Sequence, residues 1–224
     1  QVQFKDFLWE ALYDPAPGLD MIATADNLAR RYGLSREAVD RYACDSHQRA
    51  LQAQREGAWA QEIVSVDNQV FELDGYQPRR LTLARRAAAV TEDSHPRPTD
   101  LEALARLRAV HADGVQTAGN SCAVVDGAAA ALVGRASDCT RPALARLVAS
   151  AVVGVAPEFM GIGPAPAIRL LLHRSGLNLS DIGRFEINEA QSAQVLAVAQ
   201  ELELDSTRLN VQGGSLALGH PLAA

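Results

Sequence analysis

The sequence is poor in several things that would have pointed elsewhere. Its cysteines number three, Cys44, Cys122 and Cys139. An odd count at wide spacing fits neither a disulfide framework nor paired zinc ligands, so reduced thiols are expected. No apolar stretch reaches the roughly 18 residues of a spanning helix, and the alanine-rich run from Ala123 to Gly134 is itself broken by Asp126. A membrane span is therefore not expected. The opening residues QVQFKDFLWEALYDPAPG place Lys5, Asp6 and Glu10 among the apolar positions, unlike the basic start and clean apolar core of a secretion signal, which leaves the cytoplasm as the expected location. Positive charge is also short. Against 27 Asp and Glu stand 21 Lys and Arg, a net charge of −6, so phosphate backbones and anionic lipid surfaces would repel the chain rather than bind it.

What remains is an ordinary globular composition, with 48% hydrophobic and 21% charged residues over 224 positions, enough to build a core. Residues 1 to about 60 read mostly as helix. Ser35 is placed to cap a long one, Glu37 suits its first turn, and Val39, Tyr42, Ala43, Ala50 and Ala53 recur near the helical period until Gly57. From Gln61 to Asp100 the pattern is irregular, with a short candidate strand at Glu62 to Val66, a basic stretch holding Arg79, Arg80, Arg85 and Arg86, and the Pro-rich TEDSHPRPTD. Leu101 to Val110 is helical in pattern. Beyond it, Leu147 to Val155, Phe185 to Ile187 and Leu209 to Val211 are expected strands, and Pro164 to Arg174 and Ser192 to Leu202 expected helices. Strands alternating with helices imply an α/β fold with layered helices.

Four segments carry polar or glycine residues that a plain scaffold would not need. In FEINEAQSAQ a short strand delivers Asn188 and Glu189 just ahead of a helix, the edge at which α/β sheets display reactive groups. Asn188 either holds a water or a carbonyl oxygen where an oxyanion forms, or caps the helix. In NVQGGSLALGHPLAA, His220 between Gly219 and Pro221 is the best general-base candidate, because imidazole titrates near neutrality; the alternative is a hydrogen-bonded structural histidine. His47, His95, His111 and His173 show no metal-ligand spacing. The small residues of TAGNSCAVVDGAAAAL permit close approach either of a long, thin ligand or of a neighbouring helix. Finally, Gly161-Ile162-Gly163 lacks the third glycine and the preceding strand of a dinucleotide fingerprint, which argues against NAD.

Together these segments resemble the thiolase family, the acyl-CoA:acetyl-CoA C-acyltransferases. NEAQSAQ is similar to the family's NEAF-x-AQ, and NVQGGSLALGHPLAA to its NVNGGAIALGHPLGA. TAGNSCAVVDGAAAAL, HPRPTDLEALARL, VGVAPEFMGIGPAPAI and MIATADNLARRYGLSREAVDRYACDSHQRA resemble further family segments, so the likeness runs over nearly the whole chain. It implies a layered αβαβα fold of two similar halves with an inserted loop domain that covers coenzyme A. Residues 1–123 would be mostly that loop domain and its return, 124–145 the end of the N-terminal half, and 146–224 most of the C-terminal half.

The resemblance also implies roles. His220 would deprotonate a nucleophilic cysteine, and Asn188 with His220 would line an oxyanion site. Met21 and Met160 would lie near the acyl and pantetheine pocket, Arg97 near the CoA nucleotide, and Ala118 and Cys122 along the pantetheine. Gln191 stands where the family has phenylalanine, and Asp20 and Ile22 flank Met21 where many members have His and Gly. The family's nucleophilic cysteine precedes the loop domain and its acid/base cysteine sits in a CxGGG segment after the GHP histidine. Neither segment is in this sequence, so the chain alone is expected to be an inactive part of a larger enzyme. The expected activity of the whole is CoA-dependent cleavage of a 3-ketoacyl-CoA, or the reverse condensation, in a homodimer or homotetramer. Coenzyme A enters as substrate, with no other cofactor and no metal. The alternatives are a non-catalytic CoA-binding or assembly protein, or an inactive fragment, and the arginines between 79 and 86 either assist the CoA phosphates or form a solvated face.

Overall fold

The structure is a computed structural model and describes residues 4–83, 87–138 and 140–222. Cys139, Arg85 and Arg86 lie outside the described residues. Asp6 accepts from the backbone N–H groups of Leu8 and Trp9 and so starts α1 (Phe7–Ala11). A two-residue antiparallel ribbon follows, β1 (Tyr13–Asp14) with β2 (Leu19–Asp20). Asp20 then caps α2 (Met21–Tyr32) through a 2.7 Å bond from Ala23 N. Ser35 caps α3 (Arg36–Arg55) as its sequence predicts, accepting from Ala38 N at 3.2 Å. The inward side of α3 holds the expected Val39, Ala43, Ala50 and Ala53, and between them the buried polar residues Asp40, Ser46 and His47. That mixture is the first sign that polar groups do structural work in this fold.

The region after α3 is indeed an excursion. Two short antiparallel pairs, β3 (Val66–Asp67) with β6 (Ala89–Val90) and β4 (Gln69–Phe71) with β5 (Arg79–Leu81), lie almost wholly exposed. The expected strand at Glu62 to Val66 does not form before Val66. The N–H groups of Glu62 and Ile63 are drawn into a turn on the carbonyl of Trp59, at 2.9 and 3.0 Å, and cannot enter a ladder. The helix expected over Leu101 to Val110 is only α4 (Leu101–Ala105). Leu107 N closes a tighter turn on Leu104 O, and Val110 N turns to Gln116 O at 2.9 Å, reversing the chain.

In the second half, α5 (Pro164–Ser175), α6 (Ser192–Leu202) and the short α7 (Ser215–Leu218) form. Ala165, Phe185, Ile187, Val195, Val198, Leu202 and Leu209 make the main core around α6. Phe185 to Ile187 and Leu209 to Val211 run parallel but share a single bridge, between Phe185 and Leu209. Asn210 explains the interruption. Its φ of 43° takes the backbone out of the extended region, and its carboxamide pairs with both Ile187 N and Ile187 O at 2.8 Å where a regular ladder would have continued. Leu147 to Val155, also expected as a strand, joins no ladder. No strand among the described residues lies alongside it, and Leu147 is 81% and Val152 91% exposed. Among the described residues, no helix is long and apolar enough to cross a membrane.

Candidate active site

Two chain segments bring Asn188 and His220 together. Asn188 leaves the core pairing one residue after buried Ile187, on an exposed edge. His220 follows α7 through Gly219, whose φ of 92° strongly disfavours any other residue and whose Cα lies so close to Val125 that an added Cβ would sit 2.4 Å from its Cγ1. The backbone N–H of His220 then donates to Ala123 O at 2.7 Å, beside a parallel bridge between Val124 and His220. With both ends so fixed, Asn188 Nδ2 stands 3.4 Å from His220 Nε2. Ser215, the first residue of α7, donates its hydroxyl to Asn188 Oδ1 at 2.8 Å. Asn188 does not cap α6: the residue at that cap is Gln191, which makes no side-chain cap bond.

Beneath this pair lies Glu189, 1% exposed. Its Oε1 accepts from Tyr42 OH and from Asn210 Nδ2, both at 2.8 Å, and its Oε2 from Ser46 Oγ at 2.6 Å and Leu216 N at 3.2 Å. Four donors from α3, Asn210 and α7 thus converge on one carboxylate, which offsets the cost of removing it from water. Burial, and then Glu189, push the Tyr42 hydroxyl well above its ordinary value, so it stays a proton donor. A Cβ on Gly214 would meet the Glu189 carboxyl carbon at 2.5 Å, so glycine there lets α7 close on the carboxylate.

A second buried polar cluster holds the segment from Val115 to Cys122. Asp40 accepts from Arg36 Nε and from Asn120 Nδ2, each at 2.7 Å, and Asn120 Oδ1 in turn accepts from Thr117 N at 2.7 Å. In the orientation that satisfies both ends of its carboxamide, Gln116 donates to Asn120 Oδ1 at 2.9 Å and Gln191 Oε1 at 3.2 Å, and accepts from Ala193 N at 3.1 Å. A third cluster involves the histidines. His47 and His95 stack with ring centroids 6.1 Å apart, His95 Nδ1 donates to Ala217 O at 2.7 Å, and His47 Nδ1 accepts from Arg97 N at 3.4 Å. Burial, helped by Arg97 and His95, lowers the His47 pKa to about 4, so its ring is neutral.

Comparison with protein families adds the chain's kinship to this geometry. A model described as the thiolase N-terminal domain matches residues 1–137, and one described as the thiolase C-terminal domain matches residues 141–224. The chain belongs to the thiolase family. It is 44% identical over 209 residues to the human peroxisomal 3-ketoacyl-CoA thiolase, covering 91% of this chain and 47% of that protein. With an acetyl-CoA acetyltransferase of Pseudomonas aeruginosa the identity is 41%, over 98% of this chain and 53% of the relative. The crystal structure of human mitochondrial 3-ketoacyl-CoA thiolase superposes with a TM-score of 0.82 at 37% identity, over 99% of this chain and 54% of that one. The same human enzyme in complex with CoA gives a TM-score of 0.82, over 96% and 51%. The chain therefore has the family's α/β fold, and it spans about half the length of the curated relatives it matches.

The other residues that the thiolase resemblance singles out lie on several elements. Met21 begins α2, half-buried, and Met160 lies 45% exposed in the 3₁₀ stretch Pro157–Ile162 that packs on α2. In that stretch a Cβ on Gly161 would meet Gln194 Cγ at 2.6 Å and Leu28 Cδ1 at 2.9 Å, so this glycine serves helix packing. Arg97 is exposed and its guanidinium lies 3.3 Å from His95 Nε2. Ala118 is exposed, Cys122 half-buried with its N–H on Ala190 O at 3.1 Å, and Gln191 is buried against Gln116. Burial pushes both described thiols up, and Cys44 donates to Thr99 O at 3.4 Å. Beside His220, an open depression of about 360 Å³ is lined by His95, Val125, Asp126, Gly127, Leu218 and Pro221 among others. Sequence reasoning passed over Ser215 and Asn210. Only their hydrogen bonds across 27 and 23 residues reveal them, and no local pattern announces such contacts.

Proposed function

We propose that the protein carrying this chain is a thiolase-type acyltransferase that cleaves a 3-ketoacyl-CoA with CoA into acetyl-CoA and a shortened acyl-CoA, or runs the reverse Claisen condensation. The observation that carries this reading is the juxtaposition of Asn188 Nδ2 and His220 Nε2, 3.4 Å apart at one open edge. A neutral imidazole there accepts a thiol proton, and the resulting thiolate attacks the 3-keto carbon. The bond between C2 and C3 then breaks, its electron pair leaving with acetyl-CoA as an enolate that takes up a proton. The acyl group stays as a thioester on the enzyme until the thiol of CoA displaces it. Negative charge builds on the carbonyl oxygen in each attack, and N–H donors at fixed positions stabilise it. Asn188 and protonated His220 are two such donors.

In the same reading Met21, Met160 and Gln191 contribute to the acyl and pantetheine wall, Ala118 and Cys122 to the pantetheine channel, and Arg97 to binding the CoA nucleotide. Coenzyme A is a substrate and no other cofactor is invoked. Division at residues 123 and 145, assembly as a homodimer or homotetramer, and a cytoplasmic location belong to the proposal as well. Relatives named above include a peroxisomal and a mitochondrial enzyme, so fractionation of source cells tests the last of these.

The deciding experiment is CoA-dependent thiolysis of acetoacetyl-CoA by the natural protein. We expect His220→Ala to lower kcat by at least about 1000-fold and Asn188→Ala by about 100-fold, the usual scale for losing a catalytic base and one oxyanion donor. Wild-type turnover in either variant would remove that residue from the mechanism, and in both would overturn the reading.

A further inference from the structure

An asparagine serves as an oxyanion donor only while its amide end, not its carbonyl, faces the reacting atoms. The last torsion of an asparagine side chain is broad and roughly two-fold, so nothing within Asn188 itself selects the right face. The contact of Nδ2 with His220 is long, at 3.4 Å, and is a weak restraint alone. The shorter bond is on the other end, where Ser215 Oγ donates to Oδ1 at 2.8 Å. Ser215 is itself held firmly. Its carbonyl accepts from Gly219 N at 2.9 Å, and the next residue along, Leu216, donates its N–H to buried Glu189 at 3.2 Å.

We propose that Ser215 is a positioning residue for this reaction: by occupying Oδ1 it holds the Asn188 carboxamide with Nδ2 toward His220 and the developing oxyanion. The inference rests on the function proposed above. The Ser215 hydroxyl acts before the reaction begins, by reducing the rotational freedom that Asn188 would otherwise spend in reaching the transition state.

The test compares Ser215→Ala, Ser215→Thr and Asn188→Ala, singly and in combination, in the natural protein with acetoacetyl-CoA and CoA. We expect Ser215→Ala to lower kcat three- to tenfold, the range of one neutral hydrogen bond, with KM changed less than twofold, and Ser215→Thr to recover most of the loss. In the Asn188→Ala background, Ser215→Ala should cost nothing further, because no carboxamide remains to orient. Full activity in Ser215→Ala beside a deep loss in Asn188→Ala overturns the positioning role and leaves the proposed function standing. An equal loss in both backgrounds also overturns it, since Ser215 would then act without Asn188. No loss in Asn188→Ala strikes the oxyanion reading itself.

Discussion

The surroundings of Glu189 and the stretch from Ala128 to Ala156 make opposite use of their residues. Around Glu189, hydrogen bonds join residues up to 168 positions apart, and Tyr42, Ser46, Asn210 and Leu216 meet on a carboxylate with almost no exposure. Between Ala128 and Ala156 the sequence is richer in strand-forming apolar residues, yet Leu132, Val133, Leu144, Leu147, Val148 and Val152 all project outward without a ladder. Apolar character is a reason to be buried, but it supplies no partner. A buried carboxylate, by contrast, is intolerable until each oxygen is satisfied, and so it dictates which elements meet around it. The region closed by long-range hydrogen bonds is therefore the more polar one, and the pair Asn188 and His220 adjoins it through Glu189 and Ser215.

The sharpest way to break this contrast is Glu189→Ala. It would leave the Tyr42 and Ser46 hydroxyl donors and the Leu216 N–H without their acceptor in a closed interior and cost the Asn210 amide one of its partners, and we expect a loss of about 3–5 kcal/mol in chemical denaturation. A loss below about 1 kcal/mol would mean that water or repacking replaces the carboxylate easily.

His47, 1% exposed, supplies a pH test of the same principle. Its pKa is lowered from 6.5 to about 4 in the fold, so between those values the unfolded chain binds the proton that the native state refuses. This contribution is complete above pH 6.5 and disappears as the pH falls toward 4, an effect on the order of 3 kcal/mol. Denaturation midpoints measured across this range should show the slope, and His47→Gln should flatten it; an unchanged slope would show that other groups produce it.

The smallest effect is expected at the opposite pole. Val152→Ser, at a side chain 91% exposed, should change stability by less than about 0.5 kcal/mol. A thermal shift corresponding to more than about 1 kcal/mol in the natural protein would show that something covers this stretch there, and would redraw the contrast.

Much of this was legible in advance, for identifiable reasons. The Ser35 cap and the periodic alanines announce α3 because both signals lie within one segment and depend on no distant partner. The same holds for Ser192–Leu202, whose bounds coincide with those its pattern predicts. Strands are less legible in the sequence. A run such as Leu147 to Val155 becomes a strand only if another backbone supplies hydrogen bonds, and Asn210 cuts short a pairing that flanking Leu209 and Val211 alone would suggest.

By itself, then, the sequence determined the helices, the kinds of residue available for chemistry, and the family, since caps, periodicity and the NEA and GHP segments are local features. Only the tertiary structure decided that Asn188 faces His220, that Ser215 grips the far end of its carboxamide, and that Glu189 lies closed beneath them. Those are distances between residues remote in the chain, and they exist only once buried polar groups have found one another in space.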